Sequence, residues 1–289
     1  MQSLIEIISR QLSARDRIKG YLKKINPFRV DFASVQRMSI GELPVGYLVS
    51  DFGTAVMKMI RGLDTRLLFA IGTPGLGKTN LLRFLCYSSM CNGDKCLIIS
   101  RKGWEFSGLL NLRKDFYDLK TKDIRLNPFY PPIRNISRKE WNTRCAQAIS
   151  SFGWLKYASG TNLEKILDAY TENFPDSLIT PSKLVQYIVQ RKSYKLIQVD
   201  ERVRNRMEAL NSGEGTNVFD TNQIIDFEFY AANNINFDLS SLSANQVGYF
   251  ISIFLEMLTT WKLYTKSKQR HCIILDDYSD LVDEMKDSM

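Results

Sequence analysis

The chain runs to 289 residues, 44% of them hydrophobic, and carries 39 Lys+Arg against 31 Asp+Glu for a net charge of +8. That length can bury a large core, and its alternation of apolar strands with amphipathic helices favours one α/β domain carrying an insertion over two independent folds. The positive balance suits a polyanion partner and serves ordinary solubility equally well, while the five cysteines, Cys86, Cys91, Cys96, Cys145 and Cys272, form no C-x-x-C pair and read as small core residues in a reducing, cytoplasmic setting.

Residues 1 to about 25 pattern as an amphipathic helix that ends in Lys23-Lys24 and is closed by Pro27. Leu4, Ile5, Ile7 and Ile8 alternate there with Glu6, Ser9 and Arg10, so no secretory signal is visible. Arg29 to Ser50 reads as short strands and turns, which makes residues 1–50 a lead-in. Asp51 or Thr54 is positioned to cap a helix reaching about Arg61, and Gly62-Leu63-Asp64 turns the chain into the buried strand Arg66 to Ile71.

Gly72-Thr73-Pro74-Gly75-Leu76-Gly77-Lys78-Thr79 follows and fits G-x-x-x-x-G-K-[ST] without a mismatch. Glycines let successive N–H groups point into one concavity, and the next helix adds its positive N-terminal end, so the segment from Gly72 to Asn80 forms a cradle for a triphosphate. Lys78 would reach the β- and γ-phosphates as a point charge and Thr79 would give its hydroxyl to Mg2+. ATP and Mg2+ are therefore the expected cofactors; the plainer alternative is a Gly-rich turn with no ligand. Leu81, Leu82, Phe84 and Leu85 give the helix from Lys78 to Met90 an apolar face, and Asn92-Gly93 ends it before a strand from Cys96 to Ser100.

Beyond that strand come Arg101-Lys102-Gly103-Trp104-Glu105-Phe106, a basic stretch, and Asp123 to Phe129, whose Leu126-Asn127-Pro128-Phe129 turns at the proline. Residues 133–212 are patterned as an all-helical insertion of three or four helices: Ser137-x-x-Glu140 and Thr161-x-x-Glu164 are capping boxes, Thr180-Pro181 is an N-cap before proline, and Asn211 to Gly215 is the exit loop. The core, 51–132 and 213–289, resumes with strand Asn234 to Leu239, helix Ser243 to Tyr264 and strand Cys272 to Leu275, which delivers Asp276-Asp277. Asp276 would hold Mg2+ through a water and Asp277 would orient or deprotonate the attacking water. The alternative for this pair is a polar strand end that caps the next helix. The longest apolar segment, Val247 to Trp261, is broken by Glu256 and is too short to span a bilayer.

In this order the signals resemble the HerA/FtsK superfamily of ring-forming motor ATPases, especially its HerA-like and conjugative-secretion branches, over about residues 40 to 285. The resemblance is carried by Gly72 to Thr79 with Asn80-Leu81-Leu82, Lys102-Gly103-x-Glu105-Phe106-Ser107, Leu126-Asn127-Pro128-Phe129, Gly213-Glu214-Gly215 with Val218-Phe219-Asp220, Asn236-Phe237-Asp238-Leu239-Ser240, and Ile273-Ile274-Leu275-Asp276-Asp277. It implies a RecA-like P-loop core with a mostly parallel sheet, a homo-oligomeric hexameric ring with ATP between subunits, and translocation of DNA or a secreted nucleoprotein, with Lys78, Asp276 and Asp277 as catalytic residues and Thr79 and Asp276 at the metal. Ser100-Arg101 stand where the family usually has an Asp, and Asp276-Asp277 where it has Asp-Glu, which draws the base back by about one C–C bond, ~1.5 Å. The family's γ-phosphate sensor strand and arginine finger have no counterpart before Met289, so the resemblance implies a core completed by further chain or by another polypeptide.

Among the remaining charges, Lys183, Arg191, Lys192, Lys195, Arg202, Arg204 and Arg206 form a basic run that could meet DNA phosphates, its plainer reading being a solvated helix face. Arg101, Lys102 and Trp104 could flank the nucleotide. His271, the single histidine, lacks the partners a metal or a catalytic triad needs. Two function classes result: a Mg-dependent ATPase that moves DNA, and a catalytically weak ATP-binding assembly or regulatory module in DNA transfer, repair or phage defence, accompanied by a nuclease or effector.

Overall fold

The structure is a computed structural model that describes residues 43–50, 53–59, 78–102, 105–111, 114–151, 157–190, 199–223 and 226–276. The chain divides into two units, Met1–Ser88 and Ser89–Met289. In the first, β1 (Leu43–Ser50) and β2 (Gly53–Met59) pair antiparallel, Leu43 opposite Met59 and Ser50 opposite Gly53. A helix from Asp51 or Thr54 was expected over β2, and this is corrected: β-branched Thr54 and Val56 recur at the strand period, and pairing along the whole element outweighs a single capping signal. The expected helix over residues 1–25 and strand over 66–71 lie outside the described residues.

Helix α1 (Lys78–Cys91) starts in the first unit and ends in the second, where Asn92 and Gly93 close it; Gly93 sits at φ 81, a left-handed cap that glycine adopts without strain. Four strands follow in the second unit: β3 (Lys95–Ser100), β4 (Phe116–Lys120), β5 (Asn234–Asp238) and β6 (His271–Leu275). They form one sheet in the order β4-β5-β3-β6, and every pairing in it is parallel. The sheet and the helices around it define an α/β fold.

One face of the sheet, carrying Leu97, Ile99, Ile235 and Phe237, joins the main core. Helix α8 (Ala244–Thr265) covers it with Phe250 and Phe254, the latter ring centroid 4.9 Å from that of Phe237. Ser243 caps α8 through a full capping box with Gln246.

Among the described residues of the stretch read as an insertion are four helices: α2 (Arg138–Ser151), α3 (Tyr157–Asn173), α4 (Pro181–Gln190) and α5 (Val199–Leu210). Trp141, Leu163, Leu184 and Met207 from these helices enter the same core as Phe237 and Phe254. Ser137 caps α2 by accepting from the Glu140 amide at 3.1 Å, and Thr180 caps α4 by accepting from Lys183 at 3.4 Å. The box at Thr161 is not a helix start: α3 begins four residues earlier, and Glu164 accepts from Thr143 at 2.7 Å instead of reaching back to its own helix end. Gly160 makes that longer helix possible, because a Cβ there would collide with the Ser150 side chain of α2. Short helices α6 (Gly215–Phe219) and α7 (Phe227–Ala232) lead the chain back to β5.

Candidate nucleotide site and the carboxyl edge of the sheet

Lys78, Thr79 and Asn80 form the first turn of α1, with Lys78 and Thr79 half-buried and Asn80 exposed. The turn holds no acidic residue. A cation at a helix start opposes the helix dipole, so Lys78 breaks the local electrostatic rule in the manner expected where an anion is to be bound. Asn80 accepts a hydrogen bond from Arg83 at 3.1 Å, so its side-chain oxygen is engaged within the helix. Gly72, Thr73, Pro74, Gly75, Leu76 and Gly77 lie outside the described residues.

In the second unit, Asp276 follows β6 at the carboxyl end of the parallel sheet, its N–H donating to the Ile99 carbonyl at 3.1 Å. It is half-buried, and Asp277 lies outside the described residues. The pairing register places more polar groups on that same edge and face. Ser100 is opposite Asp238 and Asp238 opposite Lys120, so Lys120, Asp238, Ser100 and Asp276 form a row across the ends of all four strands. Ser100 is buried and its hydroxyl accepts from the Lys102 amide at 3.0 Å, which makes it the anchor of the turn after β3.

Lys120 bridges Asp238 at 2.8 Å and Asp118 at 3.3 Å. Burial works against an ionised Asp238, but the Lys120 ammonium and the Ser240 hydroxyl and amide outweigh it and hold the carboxyl below its ordinary pKa. The Asp238 hydrogen bond is likewise the main cause that raises the pKa of Lys120. Beside this pair the exit loop supplies Glu214 to a cleft of about 250 Å3 also lined by Thr121, Lys122 and Ser240. Sequence reading missed Lys120 and its strand; the signal was Phe116-Tyr117-Asp118-Leu119-Lys120, an alternation hidden behind the basic stretch.

The basic run is less available than its composition suggests. Arg204 pairs with Glu201 and Glu208, and Lys183 donates to the Leu178 carbonyl at 2.9 Å. Arg191, Lys192 and Lys195 lie outside the described residues, as does Trp104. His271 uses Nε2 on the Ala231 carbonyl at 2.8 Å, and no group of three or more metal-ligating side chains occurs among the described residues. No helix among them is long and apolar enough to cross a membrane.

Fold and site together define the class: an α/β protein with a parallel sheet, a phosphate-loop sequence running into a helix, and an acidic residue at the carboxyl end of a strand. No family model matches the chain, and no curated protein matches it. Among solved structures it is similar to VirB4 of Thermoanaerobacter pseudethanolicus, at 14% identity and a TM-score of 0.53, over 75% of this chain and 64% of that one. The chain thus spans a little under two thirds of VirB4, and at that identity the likeness is one of fold.

Proposed function

We propose that the chain is the nucleotide-binding part of a Mg-dependent motor ATPase of the HerA/FtsK kind that acts on DNA. The observation that carries this reading is the unbroken Gly72 to Thr79 motif leading directly into α1, whose first turn contains Lys78 and Thr79 and no acidic residue, which supports phosphate and metal binding there. Asp276 at the end of a strand in an all-parallel sheet, and the likeness of fold to VirB4, support it. Bound Mg-ATP would supply the phosphoryl group and its charge-neutralising metal. On the sequence motifs, Lys78 would meet the phosphates, Thr79 and Asp276 would serve the metal, and Asp277 would orient the attacking water.

Assembly into a homo-oligomeric ring or with a completing polypeptide, a nuclease or effector partner, and a cytoplasmic setting belong to the same proposal. One observation favours the weaker, ATP-binding module as a second reading: Ser100 fills the place where the family usually has an Asp, and its hydroxyl is engaged by the Lys102 amide. The test is Mg-ATP binding and turnover, with and without duplex DNA, for the chain and for Lys78→Ala. DNA-stimulated turnover lost in the variant supports the motor, tight binding with negligible turnover supports the module, and absence of binding defeats both.

A further inference from the structure

The edge of the sheet opposite Asp276 has a different character. Because all four strands are parallel, their starts share one edge, which carries Lys95 at the start of β3, Lys114 just before β4, and Lys268 and Arg270 just before β6. Helix α8 ends at the same edge, since it leads into β6, and its last turn adds Lys262 and its C-cap adds Lys266. The acids there are already engaged: Asp94 pairs with Arg270 at 3.5 Å and Asp115 accepts from Asn234 at 2.8 Å. Among the described residues Arg270 is the one of these six cations in an ion pair. Lys262 and Lys266 also complement the negative end of the α8 dipole, which leaves the four strand-side cations without that explanation.

Within this basic surface stands Leu263, 59% exposed, the most exposed large apolar side chain among the described residues. It follows Lys262 directly and precedes by three residues Lys266, the left-handed C-cap of α8, so the end of the helix offers an exposed apolar tip with ammonium groups before and after it in the chain. We infer that this edge docks on an anionic membrane surface, the lysines meeting lipid headgroups and Leu263 entering the boundary beneath them. Duplex nucleic acid offers the same charge. Five lysines to one arginine, however, lack the planar forks that read phosphates bidentately, and a protruding leucine has no role on a phosphate backbone. The docking needs neither ATP nor the motor reading.

The test is co-sedimentation of the full chain with vesicles of equal parts phosphatidylglycerol and phosphatidylcholine, and with vesicles of phosphatidylcholine alone. The chain is expected to sediment with the first and not the second, and to be released at high salt. Lys262→Ala with Lys266→Ala should lower the partition coefficient by about 30-fold, near fivefold for each charge, and Lys268→Ala alone by about fivefold. Leu263→Ser should weaken binding at unchanged charge. All four side chains point into solvent or its margin, and circular dichroism of each variant confirms that the fold is retained. Failure to sediment with anionic vesicles, equal binding to neutral ones, or indifference to these substitutions overturns the inference. So does duplex DNA binding that is lost in the same variants while vesicles are ignored, which would assign the edge to nucleic acid.

Discussion

Gln246 is the side chain whose removal the structure prices most definitely. Its Nε2 donates to the Ser212 carbonyl at 2.9 Å and to the Ala209 carbonyl at 3.1 Å, with the Leu210 carbonyl near at 3.4 Å, while its Oε1 accepts from the Ser243 amide at 3.1 Å. One amide therefore completes the N-cap of α8 and closes the C-terminal end of α5. Three well-formed bonds contribute about 0.5–1.5 kcal/mol each, so Gln246→Ala should destabilise the second unit by about 2–4 kcal/mol. Gln246→Glu keeps the acceptor for Ser243 but turns a carboxylate onto a cluster of carbonyls, and should cost at least as much. All four tryptophans, Trp104, Trp141, Trp154 and Trp261, follow Ser89, so urea denaturation read by tryptophan fluorescence reports this unit. A loss below about 0.5 kcal/mol for Gln246→Ala would refute the reasoning, because ordinary surface substitutions fall in that range. Gly215→Ala probes the same junction from the other side: a Cβ there would meet Gln246 Nε2 and the Leu210 carbonyl, so the variant should be destabilised even though alanine favours helices.

Asp238 contributes to the acid limb of stability. Its folded pKa is depressed, so its contribution is present above the unfolded value near 4 and is lost as pH falls through the folded value; Asp238→Asn should be less stable at neutral pH and should flatten that loss, as measured by urea midpoints from pH 2 to 7. Lys120→Met, which leaves Asp238 buried beside Asp118, should cost about 1–2 kcal/mol, the lower end reflecting the half-exposed ammonium. His271 shifts in the same direction for a different reason. Burial, its largest cause, lowers its pKa, so the unfolded chain takes up a proton more readily and stability should decline as pH drops below about 6.5; His271→Gln should remove that slope, and an unchanged slope would assign it to other groups.

Elements announced by local chemistry were readable in the sequence. The Ser137 and Thr180 caps, the glycine at the end of α1, the apolar strand before Asp276 and the helices described between Arg138 and Leu210 all rest on contacts within a few residues. What failed depended on distant partners. Thr54 and Val56 form a strand because β1 lies beside them, Thr161 falls inside a helix because Gly160 lets α3 approach α2, and Lys120 belongs to the sheet because Asp238, 118 residues later, completes its ion pair. The site divides in the same way. Lys78, Thr79 and Asp276 are candidates proposed from motifs alone, whereas the row that joins Asp276 to Ser100, Asp238 and Lys120 is a property of register, and register is invisible until the strands are paired.

That register has its own physical cause in β5. Asn234-Ile235-Asn236-Phe237-Asp238 alternates polar and apolar like a strand with one face in water, yet it is a central strand and all five residues are buried. Each polar member is matched by a partner: Asn234 accepts from the Cys96 amide at 2.9 Å and donates to Asp115, Asn236 donates to Asp118 at 2.7 Å, and Asp238 takes Lys120. A slip of β5 by one residue would turn Ile235 and Phe237 away from α8 and would separate all three polar pairs, leaving buried amides and a carboxylate unpaired at about 1–3 kcal/mol each. Apolar strands such as β3 and β6 tolerate neighbouring registers far better, since one isoleucine packs much like the next. The polar rungs of β5 therefore fix where β3 stops, and through the bond from the Asp276 amide to the Ile99 carbonyl they fix the height at which Asp276 leaves the sheet.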